Sequence, residues 1–199
     1  MTKLILIRHG ETSINVASLL HSRNDPEKLT PKGIKQIEKT AKVLKDMHLS
    51  ALFVSNEKRA LESAEIISKA CGIPLKQISG LEERNWGKFS GKTWKEIQKV
   101  LDPMSIEERY TYIPPNGESW KEFEARLISA IESIVKKNGG GVIAVVTQGG
   151  SIRALMPYLL GVPKEISFKY DPGNASLTIF EYKKGKYTNI ILNDTNHLK

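Results

Sequence analysis

Four consecutive apolar residues, Leu4-Ile5-Leu6-Ile7, run straight into Arg8-His9-Gly10. A strand buried on both faces reads as an unbroken apolar run, and in open α/β sheets the ligand crevice lies beyond the carboxyl ends of such strands. An arginine and a histidine at that end serve no packing purpose. The pattern points to a parallel sheet whose first strand delivers charge to a crevice.

Two later runs repeat it. Ala51-Leu52-Phe53-Val54 ends in Ser55-Asn56, with Arg59 in the segment that follows, and Val142-Ile143-Ala144-Val145-Val146-Thr147 ends in Gln148-Gly149-Gly150-Ser151. Helical patterns lie between them. Thr30 reads as an N-cap with Pro31 at the first helical position, and Ile34, Ile37, Ala41 and Leu44 follow at three- and four-residue intervals. Further helices are expected over 58–70, stopped by Gly72 and Pro74, and over 94–101, 118–137 and 152–160. Residues 75–78 read as an edge strand. Residues 175–182 and 186–192 read as two strands joined through Lys183-Lys184-Gly185. Segments 15–28 and 80–91 read as loops, and 102–117, with three prolines, reads as non-helical. The order predicts an α/β fold: a single domain over 1–199, built as a three-layer α/β/α sandwich on a mostly parallel central sheet.

Composition narrows the function classes. A formal net charge of +8 could draw nucleic acid, but the lysines are scattered and no interleaved arginine and aromatic platform accompanies them, so nucleic-acid binding is not expected. No window approaches the roughly 18 apolar residues of a membrane span, and Met1-Thr2-Lys3 leads directly into the first strand without a leader pattern. One cysteine, Cys71, suits a reducing cytoplasm and a place at a helix end. No His, Asp or Glu grouping has metal-ligand spacing. The expected protein is cytoplasmic, metal-independent and without a cofactor, a monomer or homodimer with a small-molecule substrate.

If the three buried strands are parallel neighbours, their ends gather two arginines, a histidine and glycine-flanked helix starts. Guanidinium forks and helix N-terminal amides suit a phosphate dianion, and a neutral imidazole among them is a nucleophile or a base. Spacing alone supports a phosphate site without choosing the reaction.

The motifs resemble a known family. Leu6-Ile7-Arg8-His9-Gly10-Glu11-Thr12 with Asn15 closely resembles the signature of the histidine phosphatase superfamily, which includes the cofactor-dependent phosphoglycerate mutases. Further matches follow in order along nearly the whole chain: Leu29-Thr30-Pro31-Lys32-Gly33, Ser55 to Ala64, Leu81-Glu82-Glu83-Arg84-Asn85-Trp86-Gly87, Pro115 to Ser119, Val145 to Arg153, and Asn174-Ala175-Ser176. The resemblance implies that His9 attacks phosphorus and becomes a phosphohistidine. It implies that Arg8 and Arg59 hold the non-bridging oxygens, with donors from Asn15 and the Gly149 amide. It places the proton donor at Glu83, with Glu82 the competing carboxylate. Thr12, His21 and Arg84 are further substrate-binding candidates, although a solvated loop is the plainer reading of His21. Trp86, Trp94 and Trp120 read as packing anchors.

One position departs from the family. Gln148 stands where the resemblance calls for a second histidine, giving up a cation beside the phosphoryl group; losing one preorganised donor typically costs about 10²–10³ in rate. The substitution is compatible with an engineered trap, with natural slow turnover, or with a binder of phosphorylated ligands; the intact His9, Arg8, Arg59 and Glu83 argue against the last. The chain is short where the family's mutases carry insertions. The expected activity is therefore hydrolysis of a small phosphorylated metabolite, with mutase-type phosphotransfer as the alternative.

Overall fold

The computed structural model describes residues 1–22 and 25–199; Arg23 and Asn24, inside the expected loop 15–28, lie outside the described residues. Six strands form one sheet in the order β3-β2-β4-β1-β5-β6: β1 Thr2–Arg8, β2 Ala51–Val54, β3 Leu75–Gln77, β4 Val142–Thr147, β5 Leu177–Lys183 and β6 Lys186–Asp194. The first four are mutually parallel, and the last two form an antiparallel hairpin whose first strand pairs with β1.

The apolar run of β1 is explained by burial on both faces. Leu4 and Leu6 pack into one core with Phe123, Leu127 and Ile131 of α6 (Trp120–Lys137) and Leu155 of α7 (Gly149–Leu160). Ile5 and Ile7 point to the other core, with Ile37 and Leu44 of α2 (Pro31–Lys45) and Ile67 of α3 (Lys58–Cys71). Each fully buried side chain of this kind contributes about 1.5–3 kcal/mol relative to exposure. Cys71 sits at the end of α3 against the second core, and Gly72 closes that helix with φ +65°, a left-handed cap that glycine adopts without strain.

The expected elements are present, with α2 capped by Thr30 through a bond from the Gly33 amide. Two short helices differ from expectation. A one-turn helix α1 (Ser13–Val16) opens the first loop, because the Thr12 hydroxyl accepts from the Asn15 amide while the Asn15 side chain accepts from the Thr12 amide. Segment 102–117 contains α5 (Ile106–Thr111) after α4 (Trp94–Leu101). Its prolines lie outside the helix, and Ser105 and Glu108 form a reciprocal capping box that starts it. His197, near the chain's end, is half-buried, its Nε2 2.9 Å from the Thr40 hydroxyl.

Two glycines bring the loop after β1 against the start of α2. A Cβ at Gly10 would lie 2.5 Å from the Gly33 carbonyl oxygen, and one at Gly33 would lie 2.1 Å from the Glu11 carbonyl oxygen. Only bare backbone fits at this crossing, which fixes the direction in which the chain leaves Arg8 and His9. Among the described residues no helix is long and apolar enough to cross a membrane.

Candidate active site

The carboxyl ends of β1 and β4 open on a cavity of about 450 Å³. Arg8, His9, Asn15, His21, Glu83 and Gly149 line it, six of the ten residues singled out in the sequence. Arg59, Gln148, Thr12 and Arg84 are buried and are not part of its lining.

His9 is held in one tautomer. Its Nδ1 lies 2.7 Å from the Gly10 carbonyl oxygen, which can only accept, so Nδ1 carries the hydrogen and Nε2 keeps its lone pair. Burial, then the charges of Arg59 and Arg8, hold its pKa well below the ordinary histidine value. The ring is neutral at neutral pH. His21 meets it edge-on, with ring centroids 5.7 Å apart. His21 is buried, and burial with the same two arginines pushes its pKa down to about 3. Its Nε2 lies 3.2 Å from Thr12 Oγ1 and 3.3 Å from Asn15 Nδ2, and its Nδ1 is 3.5 Å from Asp25 Oδ2. A solvated loop histidine is thus the wrong picture; the capping box of α1 folds the ring inward.

The two guanidinium groups are only partly satisfied. Arg8 Nη1 donates to the Pro172 carbonyl at 2.6 Å, and Arg59 Nη2 donates to Glu57 Oε1 at 2.8 Å. Arg8 Nε, Arg59 Nε and Arg59 Nη1 are buried without an acceptor among the described residues. Buried donors are normally paired, and three unpaired guanidinium nitrogens close to a neutral imidazole are chemically suited to an anion.

Glu57 links this arginine to the acid loop. It is buried with Arg59, and its Oε2 accepts the Glu83 backbone N–H at 3.0 Å. Burial pushes its pKa up to about 7, against the pull of Arg59. Arg126 of α6 secures the same loop from behind, donating to the carbonyls of Glu82 and Glu83 at 2.9 Å each. The two neighbouring carboxylates have different surroundings. Glu82 accepts from the Gly80 amide at 2.8 Å and from Asn56 Nδ2 at 3.0 Å, away from the cavity lining. Glu83 lines the cavity, with Oε2 accepting the Gly150 N–H at 2.9 Å and Oε1 the Arg84 N–H at 2.7 Å.

Gln148 is wholly buried. Its Nε2 donates to Ser55 Oγ at 2.7 Å, and its Oε1 accepts from Thr147 Oγ1 at 2.8 Å and Ser151 Oγ at 3.3 Å. The amide ties β2 to β4 instead of donating into the cavity. Thr12 is used up as the cap of α1. Arg84 lies 4.4 Å over the ring of Trp86, with Nε donating to the Glu118 carbonyl and Nη2 to that of Tyr112, each at 3.0 Å. Both hold the loops that frame the site through these bonds.

Asn174 lines the cavity although sequence reasoning took only its segment as a match; its Nδ2 bonds the His9 carbonyl at 3.1 Å and Asn15 Oδ1 at 3.0 Å. Arg153 and Asp171 form a 2.7 Å ion pair at the rim. Trp86 and Trp120 are buried in apolar clusters, as packing anchors should be, and with Trp94 they also border the cavity. Their proximity to Glu83 and to the helix start at Ser119 was the available signal. Among the described residues no group of three or more His, Cys, Asp and Glu is placed to hold a metal ion.

Known proteins resemble this chain along nearly its whole length. The sequence profile of the histidine phosphatase superfamily (branch 1) matches residues 4–195. A metal-independent phosphoserine phosphatase of Arabidopsis thaliana is 32% identical, aligned over 100% of this chain and 84% of its own length. A 2,3-bisphosphoglycerate-dependent phosphoglycerate mutase of Cytophaga hutchinsonii is 29% identical over 100% of this chain and 94% of its own. Among solved structures, an Entamoeba histolytica phosphoserine phosphatase mutant in complex with phosphoserine superposes with a TM-score of 0.87 at 27% identity, covering 100% of both chains.

Proposed function

Because the chain belongs to branch 1 of the histidine phosphatase superfamily, we propose that it hydrolyses phosphomonoesters of small metabolites through a phosphohistidine on His9. The observation that carries this reading is the set of three unpaired guanidinium nitrogens on Arg8 and Arg59 beside the neutral His9 ring. The Nε2 lone pair attacks phosphorus as the ester P–O bond breaks, and Glu83 acts as the general acid that protonates the departing oxygen. In the second half Glu83 takes a proton from water, the water oxygen attacks phosphorus, and the N–P bond breaks to release inorganic phosphate. Arg8, Arg59 and the Gly149 amide stabilise the charge on the non-bridging oxygens at both transfers.

Phosphoserine and phosphoglycerate are acted on or bound by relatives named above and belong in the first substrate panel. Incubation with p-nitrophenyl phosphate followed by an alkaline detergent quench should show a base-stable, acid-labile phosphoenzyme that His9→Ala abolishes. Phosphate release at an undiminished rate from His9→Ala would overturn the reading.

A further inference from the structure

All three tryptophans of the chain, Trp86, Trp94 and Trp120, line the one cavity that also holds His9. They come from three separate segments, so no single packing need explains their convergence. Two are anchored from outside the cavity. Trp86 carries the Arg84 guanidinium 4.4 Å over its ring, and Trp120 packs against Phe123 and Phe168 with centroids 5.5 and 5.1 Å away. Trp94 meets Trp86 edge-on at 6.1 Å and remains 40% exposed at the mouth. Leu19 and Leu20 complete the wall. The Leu20 amide donates to the Lys92 carbonyl and the Leu20 carbonyl accepts the Gly91 amide, both at 2.9 Å, which holds the first loop beside Trp94.

The charges left for a substrate's alcohol portion are few. Arg8 belongs to the phosphate end, and Arg153 donates from Nη2 to Asp171 at 2.7 Å, with its Nε left without an acceptor among the described residues. Apart from these guanidinium groups the wall beside Trp94 is apolar, and an aromatic ring would meet preformed faces and edges there. We propose that the cavity selects phosphomonoesters whose alcohol carries an aromatic ring, held between Trp94, Trp86 and Leu20. This rests on the phosphatase reading for its chemistry, but the ring's binding does not depend on turnover.

The test compares 2-phenylethyl phosphate with n-butyl phosphate and O-phospho-L-serine, all esters of primary alcohols, so leaving-group chemistry is close and the wall decides. The aromatic ester should show kcat/KM at least about 10-fold above the butyl ester, the scale on which apolar pockets discriminate. Trp94→Ala should shrink that ratio mainly through KM. Binding is read separately on the unaltered protein: 2-phenylethylphosphonate should change tryptophan emission and bind tighter than n-butylphosphonate. Equal or weaker binding of the aromatic phosphonate, or a kcat/KM favouring phosphoserine, overturns the inference. Tighter aromatic binding with no phosphate released from any ester supports the wall and overturns the phosphatase reading instead.

Discussion

The Glu83 carboxylate occupies the space where a side chain on Gly150 would begin: a Cβ there would lie 2.1 Å from Glu83 Oε1, while the Gly150 N–H donates to Oε2 at 2.9 Å. The acid loop and the first turn of α7 are thus fitted to one another without a spare atom.

Gly150→Ala must therefore displace Glu83. General acid catalysis is worth about 10²–10⁴, and it matters most for a poor leaving group. The variant should lose at least about 100-fold in kcat/KM, which reports only the steps up to leaving-group departure, on an alkyl phosphate and far less on p-nitrophenyl phosphate, whose phenolate leaves unaided. Equal losses on both, measured in parallel steady-state assays, would show that Glu83 is not the donor.

Glu57 and Arg59 form a buried ion pair with side chains 2% and 1% exposed. Removing one partner of such a pair strands the other charge, at a cost of about 3–5 kcal/mol. Glu57→Ala should lower unfolding free energy by that amount in a urea titration. Glu57→Gln, which keeps an acceptor for the Glu83 amide, should lose less. An alanine variant within about 1 kcal/mol of the parent would mean that water replaces the carboxylate.

Restoring the family's cation is expected to help the first chemical step. Gln148→His adds a donor beside the phosphoryl group where the glutamine amide is turned to Ser55. With Arg8 and Arg59 already present the gain should be about 10-fold, below the full value of a lone oxyanion donor. It is read as the burst rate of p-nitrophenolate in rapid mixing. An unchanged burst would remove Gln148 as the cause of any slow turnover.

Acid should destabilise the fold through its buried neutral imidazoles. The unfolded chain protonates a histidine near 6.5, whereas His21 stays neutral down to about 3, so stability falls as pH drops across that window. Glu57 acts in the opposite sense. Its pKa near 7 lets the folded state hold a proton the unfolded state lacks, so its contribution declines as pH rises from about 4.5 to 7. Below about 4.5 the histidine effect is unopposed by Glu57. The gap in unfolding free energy between the parent and His21→Asn should therefore shift in the variant's favour between pH 4.5 and 3. A constant gap would show that His21 accepts a proton in the folded state.

Much of this was legible because periodicity and burial speak directly in the residues. The apolar run of β1, Thr30-Pro31 at the head of α2 and the glycine-flanked end of β4 each have one local physical reading. The choice between Glu82 and Glu83 was not legible, because it depends on Arg126 and Gly150 arriving from distant segments. Gln148 was read as a weakened donor, yet it is a tie to Ser55, a partner 93 residues away. The tryptophans pack as the sequence suggests, and only the closeness of Trp86 to Glu83 and of Trp120 to Ser119 hints that they also border the cavity. The helices Ser13–Val16 and Ile106–Thr111 do have local signals, the capping pairs Thr12 with Asn15 and Ser105 with Glu108, the second set among prolines that mask it.

The place of β1 in the sheet carries a consequence for biosynthesis. This strand is hydrogen-bonded on one side to β4 and on the other to β5, both near the far end of the chain. Its four most apolar residues leave the ribosome long before either partner exists, so the nascent chain holds an unpaired, aggregation-prone segment until β4 and β5 have been made. The nucleophile is made well before the strands that hold it in place.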